Sequence, residues 1–234
     1  MSGRALATRR RSYPLASALS EGVVKFAPSV VTFAEPASQA AEAVRALRTH
    51  VMAQHVQEGR RALAVVGASD GVGCTFVAVN LAASLSQIGI KTLIIDADLR
   101  NPEVDKLLPG GDAGEGLRQC LASPDAPFYE HIRDDVLPGL SALYSGGAAT
   151  NPQELLAGDR FRALVDYCLR DYDATIIDTP AANSCSDARR VSTVVGYSLV
   201  VAAKDRSYVD DVKILIGQLK GDRARVIGTV LNQA

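Results

Sequence analysis

Short apolar runs alternate with stretches of helical period along most of the chain. Residues 62–66 (ALAVV) are wholly apolar and rich in β-branched side chains, which marks a strand buried on both faces. Residues 91–97, 174–178, 198–202 and 226–231 repeat that pattern, and 140–144 form a further strand candidate. Helical spacing covers 75–85, 117–121, 152–156, 160–170 and 208–220. Ser38 is placed as the N-cap of another helix, running to about residue 55, with Ala41, Val44, Leu47 and Val51 as its apolar stripe. Fully apolar strands alternating with helices predict an α/β fold, a mostly parallel sheet covered by helices on both faces. In such sheets ligands bind at the carboxyl ends of the strands. The segment 100–150 is the least patterned part of this region.

Residues 1–36 break the pattern. They mix Ser, Ala, Pro and Arg, and Arg4, Arg9, Arg10, Arg11 and Lys25 face Glu21 alone in the first 25 residues. A disordered basic tail is expected there, with a short extended piece at 30–33, followed by one domain over 37–234. The whole chain has a net charge of only −1, so no nucleic-acid partner is expected. The four cysteines, at 74, 120, 168 and 185, and the histidines at 50, 55 and 131 show no zinc spacing, which fits a reducing cytoplasm. No apolar run approaches the ~20 residues needed to span a bilayer, and no apolar segment behind the N-terminal arginines suggests a secretory signal.

Chemistry concentrates where three strand ends carry special residues. After the strand at 62–66 comes a glycine turn, with Gly67, Gly71 and Gly73, that opens a helix at Thr75. Strand, glycine turn and helix N-terminus make a cradle in which backbone N–H groups converge on phosphate. The P-loop pattern is G-x-x-x-x-G-K-[ST]; here Ala68 holds the first glycine's place and Cys74 the lysine's. Ser69, Asp70, Gly71, Val72, Gly73, Cys74 and Thr75 are the expected nucleotide-binding loop. Thr75, Asp96 and Asp178 offer hard oxygen ligands for Mg²⁺, directly or through water. Asp96 and Asp98 end the second strand and are candidates for acting on a nucleophile's proton. A single glycine turn, or a single Asp at a strand end, is common in α/β folds; the ordered set carries the reading.

These stretches resemble the cytoplasmic domain of the bacterial tyrosine kinases, the autokinases of capsule and exopolysaccharide export. EAVRALR (42–48) is similar to the family's E-x-x-R-x-x-R oligomerisation motif, ASDGVGCT (68–75) lies where its Walker A lies, and LIIDADLRNP (93–102) is similar to its Walker A′. NPQELL (151–156), TIIDTP (175–180, the Walker B) and SDA (186–188) also match, so the likeness covers about 35–233. Broader relatives are the septum-site and plasmid-partition ATPases, in which the Asn of a segment like VLN (230–232) can meet the adenine. The resemblance implies a P-loop NTPase-like fold, ATP or ADP with Mg²⁺, and Asn232 near the base. It implies homo-oligomers through Glu42, Arg45 and Arg48. It also implies a membrane polysaccharide co-polymerase of the chain-length-determinant type as partner, and a cytoplasmic location peripheral to the inner membrane.

Two departures shape the expected activity. Cys74 removes a cation worth roughly 1.5–3 kcal/mol per phosphate contact, which predicts affinity about tenfold to a hundredfold weaker. Comparable cations are worth ~10³–10⁵ in rate, so binding with weak or no phosphotransfer is expected. Arg100, two residues past Asp98, is the candidate for partial compensation. The family's C-terminal tyrosine cluster has no counterpart, the last tyrosine being Tyr208. An active autokinase would then need another acceptor, for instance Tyr13. A partition-type positioning ATPase is the third reading, weakened by Ser69 at the place of that group's extra lysine. For Cys74 itself two readings stay open: a thiol made acidic by the helix N-terminus, or a neutral thiol filling the lysine's space.

Overall fold

The computed structural model describes residues 30–108, 110 and 114–233. Seven strands form one sheet, in the order β3-β4-β2-β5-β1-β6-β7. They are β1 (Ala62–Gly67), β2 (Thr92–Asp96), β3 (Arg133–Leu137), β4 (Leu140–Leu143), β5 (Ala174–Asp178), β6 (Tyr197–Ala203) and β7 (Arg225–Asn232). All neighbours are parallel except β3, which pairs antiparallel with β4. The expected α/β architecture is therefore the observed one.

Helices cover both faces because the strands bury side chains on both. β1, β2 and β5 are buried at every position. One face packs Leu63, Val65 and Ile94 against helix α3 (Cys74–Ser86), which is buried continuously from Val77 to Ser86. Helices α1 (Val31–Ala34) and α2 (Gln39–Gln54) lie outside α3 on the same face. The other face packs Ala64, Val66, Leu93 and Ile177 against Phe161, Leu164, Val191 and Leu215. Those residues come from α7 (Asp159–Asp171), α8 (Asp187–Val195) and α9 (Val209–Gly221). The remaining helices are short: α4 (Val104–Leu107), α5 (Leu117–Ala122) and α6 (Pro152–Ala157).

The local signals act as their chemistry predicts at α2. Ser38 Oγ accepts the Ala41 N–H at 3.1 Å, an N-cap worth about 1 kcal/mol. Ala41, Val44 and Val51 are buried, with Leu47 packed beside them.

Several elements differ from the sequence reading, among them the short helix Val104–Leu107. The extended piece expected at 30–33 is helical from Val31, and Val30 and Thr32 are already buried, so the folded body starts before residue 37. The Val31 N–H donates to Asn80 Oδ1 on α3, which ties that helix down. Helix α8 was not foreseen. Ala188, Val191 and Ser192 form its buried side, and it ends on Gly196 in the left-handed region. Strand β3 escaped notice because it is a polar edge strand, irregularly paired around Asp135, whose φ is +52°. Of the tail expected over 1–36, residues 1–29 lie outside the described residues. Among those described, no helix is long and apolar enough to cross a membrane.

Candidate functional site

The carboxyl ends of β1, β2 and β5 meet at one place because these three strands are adjacent in the sheet. The turn after β1 is built around two close approaches. A Cβ on Gly67 would lie 2.5 Å from Val72 Cγ2 and 2.8 Å from Cys74 Sγ. A Cβ on Gly73 would lie 2.2 Å from Asn232 Nδ2, and Gly73 has a φ of +89°. Glycine is required at both positions. Gly73 is the N-cap of α3, and the first intrahelical bond runs from the Val77 N–H to the Gly73 carbonyl. The N–H groups of Cys74, Thr75 and Phe76 therefore have no partner within the helix, which leaves an anion-attracting end.

The loop is braced from three sides. The N–H groups of Ala182 and Asn183 donate to the carbonyls of Gly67 and Ala68, both at 2.9 Å. Arg206 donates to the Gly71 carbonyl at 3.1 Å, and Asn232 Nδ2 donates to the Val72 carbonyl at 3.0 Å. Ser184 Oγ donates to Asp70 at 3.1 Å.

A cavity of about 500 Å³ opens over this loop. Residues 69–76 form one wall, Asp98, Asn101, Glu103, Lys106 and Leu107 a second, and 179–181 a third. Seven of the expected binding residues, Ser69 to Thr75, thus line one space with Asp98. A second cavity of about 440 Å³ lies beside it and shares Phe76. It is mostly apolar, with Ala40, Val44 and Leu47 on one side and Val230 and Asn232 on the other.

Beneath the loop lies a pair of acids. Asp96 and Asp178 are register partners on adjacent parallel strands, so both carboxylates leave the sheet side by side. Parallel strands lie about 4.8 Å apart, and both residues are fully buried. Asp96 accepts the N–H of Asp98 at 3.1 Å and of Val104 at 3.2 Å. Burial pushes its pKa up to about 7, opposed by those two bonds. Asp178 has no hydrogen-bond partner on either oxygen among the described residues. Burial, then the charge of Asp96, raise its pKa well above the ordinary range, and the nearby Thr75 hydroxyl opposes this. A buried carboxylate without partners is costly and calls for a cation or ordered water. Asp98 accepts the N–H groups of Arg100 at 3.0 Å and Asn101 at 2.8 Å, while burial still raises its pKa.

Two expected residues are placed differently. Arg100 turns away from the cavity; its Nε donates to the buried Asp187 at 2.8 Å, which binds the turn after β2 to the start of α8. It therefore does not stand in for the lysine missing at 74. Arg48 donates to the carbonyl and hydroxyl of Ser84 on α3, at 3.0 and 3.1 Å, while Arg45 pairs with Glu42 at 2.8 Å on the exposed side of α2. The Cys74 thiol lies against Gly67, and burial, followed by the charges of Asp178 and Asp98, raises its pKa well above the ordinary value. Desolvation and the neighbouring carboxylates thus work against an acidic thiol, in opposition to the helix N-terminus. Lys106 also lines the cavity, on a short helical turn whose place there depends on the path after Asp98.

The profile of the CobQ/CobB/MinD/ParA nucleotide binding domain matches residues 63–234. The chain belongs to this family. Within it, the homologues are bacterial tyrosine kinases. Tyrosine-protein kinase etk of Escherichia coli K12 is 35% identical over 197 residues, which cover 84% of this chain and 27% of that protein. CapB of Staphylococcus aureus is 28% identical over 201 residues, covering 85% of this chain and 86% of CapB. The solved kinase domain of the E. coli tyrosine kinase superposes with a TM-score of 0.83 at 34% identity, over 90% of this chain and 82% of that one. The chain spans about a quarter of the length of relatives such as etk.

Proposed function

We propose that this domain binds Mg·ATP or Mg·ADP as a kinase-like regulator of exopolysaccharide or capsule synthesis and export, with weak or no phosphotransfer. The observation that carries the reading is the contrast within one site. The cradle keeps Gly67, Gly71 and Gly73, its free helix N-terminus and Thr75, and a partnerless carboxylate lies below it at Asp178. Yet the lysine position holds a half-buried cysteine and so carries no cation. In this reading the N–H groups of residues 71–75 hold the phosphates. Thr75 and Asp178 hold Mg²⁺, the latter directly or through water, and Asp98 lies at the cavity wall facing the reacting end. Asp96 orders the turn at 98–104 through its two backbone bonds and sets the charge felt by Asp178. The adenine lies toward the second cavity, against Phe76 and Asn232. Mg²⁺ supplies charge neutralisation on the phosphates when bound.

Residues 37–234, with the helix at Val31–Ala34, act as one unit in this reading. The partner is a membrane polysaccharide co-polymerase, which keeps the domain at the cytoplasmic side of the inner membrane. Subunits meet through the Glu42 and Arg45 side of α2. Calorimetric titration tests the core of this reading. Saturable binding of ATP that depends on Mg²⁺ and is lost in Asp178→Asn is expected; no binding up to millimolar nucleotide would refute it. A synthetic cytoplasmic segment of a co-polymerase should bind the same protein.

A further inference from the structure

We propose that Lys106 supplies, from the opposite wall of the cavity, the phosphate-binding charge that position 74 lacks. This rests on the nucleotide-binding reading above. Among the described residues that line the cavity, Lys106 is the one cation, set against Asp70, Asp98 and Glu103. An anionic polyphosphate entering that acidic space needs a positive partner besides the metal. The other basic groups of the neighbourhood are committed elsewhere. Arg100 is held on the buried Asp187. Arg206 is held on the Gly71 carbonyl and lies outside the cavity wall. Lys91, at the amino end of β2, donates to the Asp171 carbonyl at 2.7 Å and lies over the Tyr172 ring.

Lys106 is free to move. Among the described residues its one ion pair is with Glu103 at 3.0 Å, and both side chains are more than half exposed. Exposed pairs of this kind hold weakly, so the ammonium group exchanges readily onto phosphate. The turn that carries it is fixed from below: Asp96 Oδ2 accepts the Val104 N–H, and Val104 is fully buried. Lys106 stands on the wall that holds Asp98, not on the loop wall, so it reaches the terminal rather than the inner phosphates. The charge has thus moved from the helix after β1 to the turn after β2.

The test is titration of the full chain with Mg·ATP and Mg·ADP, for the unaltered protein, Lys106→Ala, Lys91→Ala, Cys74→Lys and the double variant Cys74→Lys/Lys106→Ala. Lys106→Ala should weaken Mg·ATP about tenfold, and Mg·ADP by less, with an unchanged melting temperature because the side chain is exposed. Lys91→Ala should stay within about twofold, since it lies away from the cavity. In the Cys74→Lys background the loss from Lys106→Ala should shrink to about twofold, because the two cations then overlap. If the unaltered protein binds Mg·ATP and Lys106→Ala changes its affinity by less than twofold, the inference falls while the nucleotide-binding reading stands. If the unaltered protein binds neither nucleotide, both fall together.

Discussion

Asp178 is fully buried, and neither of its oxygens has a hydrogen-bond partner among the described residues. Its pKa and that of Asp96 are raised in the folded protein, so the native state holds protons that the unfolded chain has already released. Stability from this pair is present below an ordinary aspartate's value near 4. The part that comes from Asp96 is lost as pH rises through about 7. Asp178→Asn removes the buried charge. It should stabilise the nucleotide-free protein more at high pH than at pH 4, as read by urea denaturation. The same variant should lose Mg²⁺-dependent nucleotide binding. A fold keeps such a costly group where function needs it. Cys74 and Asp178 were legible in the sequence as positions of a pattern. Their protonation states were not, because burial decides them and burial depends on how three strand ends close over one another. Arg100 shows the same limit: two residues past Asp98 is close in sequence, yet the chain direction there points its guanidinium at Asp187.

The elements of the sheet interior were the most legible, since strands buried on both faces leave unbroken apolar runs. β1, β2 and β5 follow their runs within a residue or two. β3 and α8 were not legible. An edge strand needs no apolar alternation, and a short helix with two arginines at its centre hides its stripe. Helix α2 was placed correctly, but the work of its arginines depends on packing. Arg48 pins α2 to α3 through two bonds on Ser84, one to its carbonyl and one to its hydroxyl. Arg48→Ala should therefore cost about 1.5–3 kcal/mol in urea denaturation of the monomer, as expected for a charged donor removed from a half-buried contact. A purely interfacial role would leave monomer stability unchanged.

At the scale of the whole molecule, one sheet carries two cores, with the site at the shared carboxyl edge and α2 on the outside of one face. This places the Glu42 and Arg45 pair at the surface, where it contributes little to folding. Arg45→Glu should leave the melting curve within about 0.5 kcal/mol and shift the sedimentation profile toward monomer. An unchanged mass at high protein concentration would remove α2 from the assembly surface.

In the proposed function the pocket holds nucleotide while phosphotransfer is weak because position 74 carries no charge. Quantitative phosphotyrosine analysis tests it most directly, on the purified chain and its Cys74→Lys variant after incubation with Mg·ATP, with and without a co-polymerase segment. Little or no phosphotyrosine in the unaltered protein, and a gain in the lysine variant, is the predicted result. Strong phosphotyrosine in the unaltered protein, with no gain in the lysine variant, would contradict it.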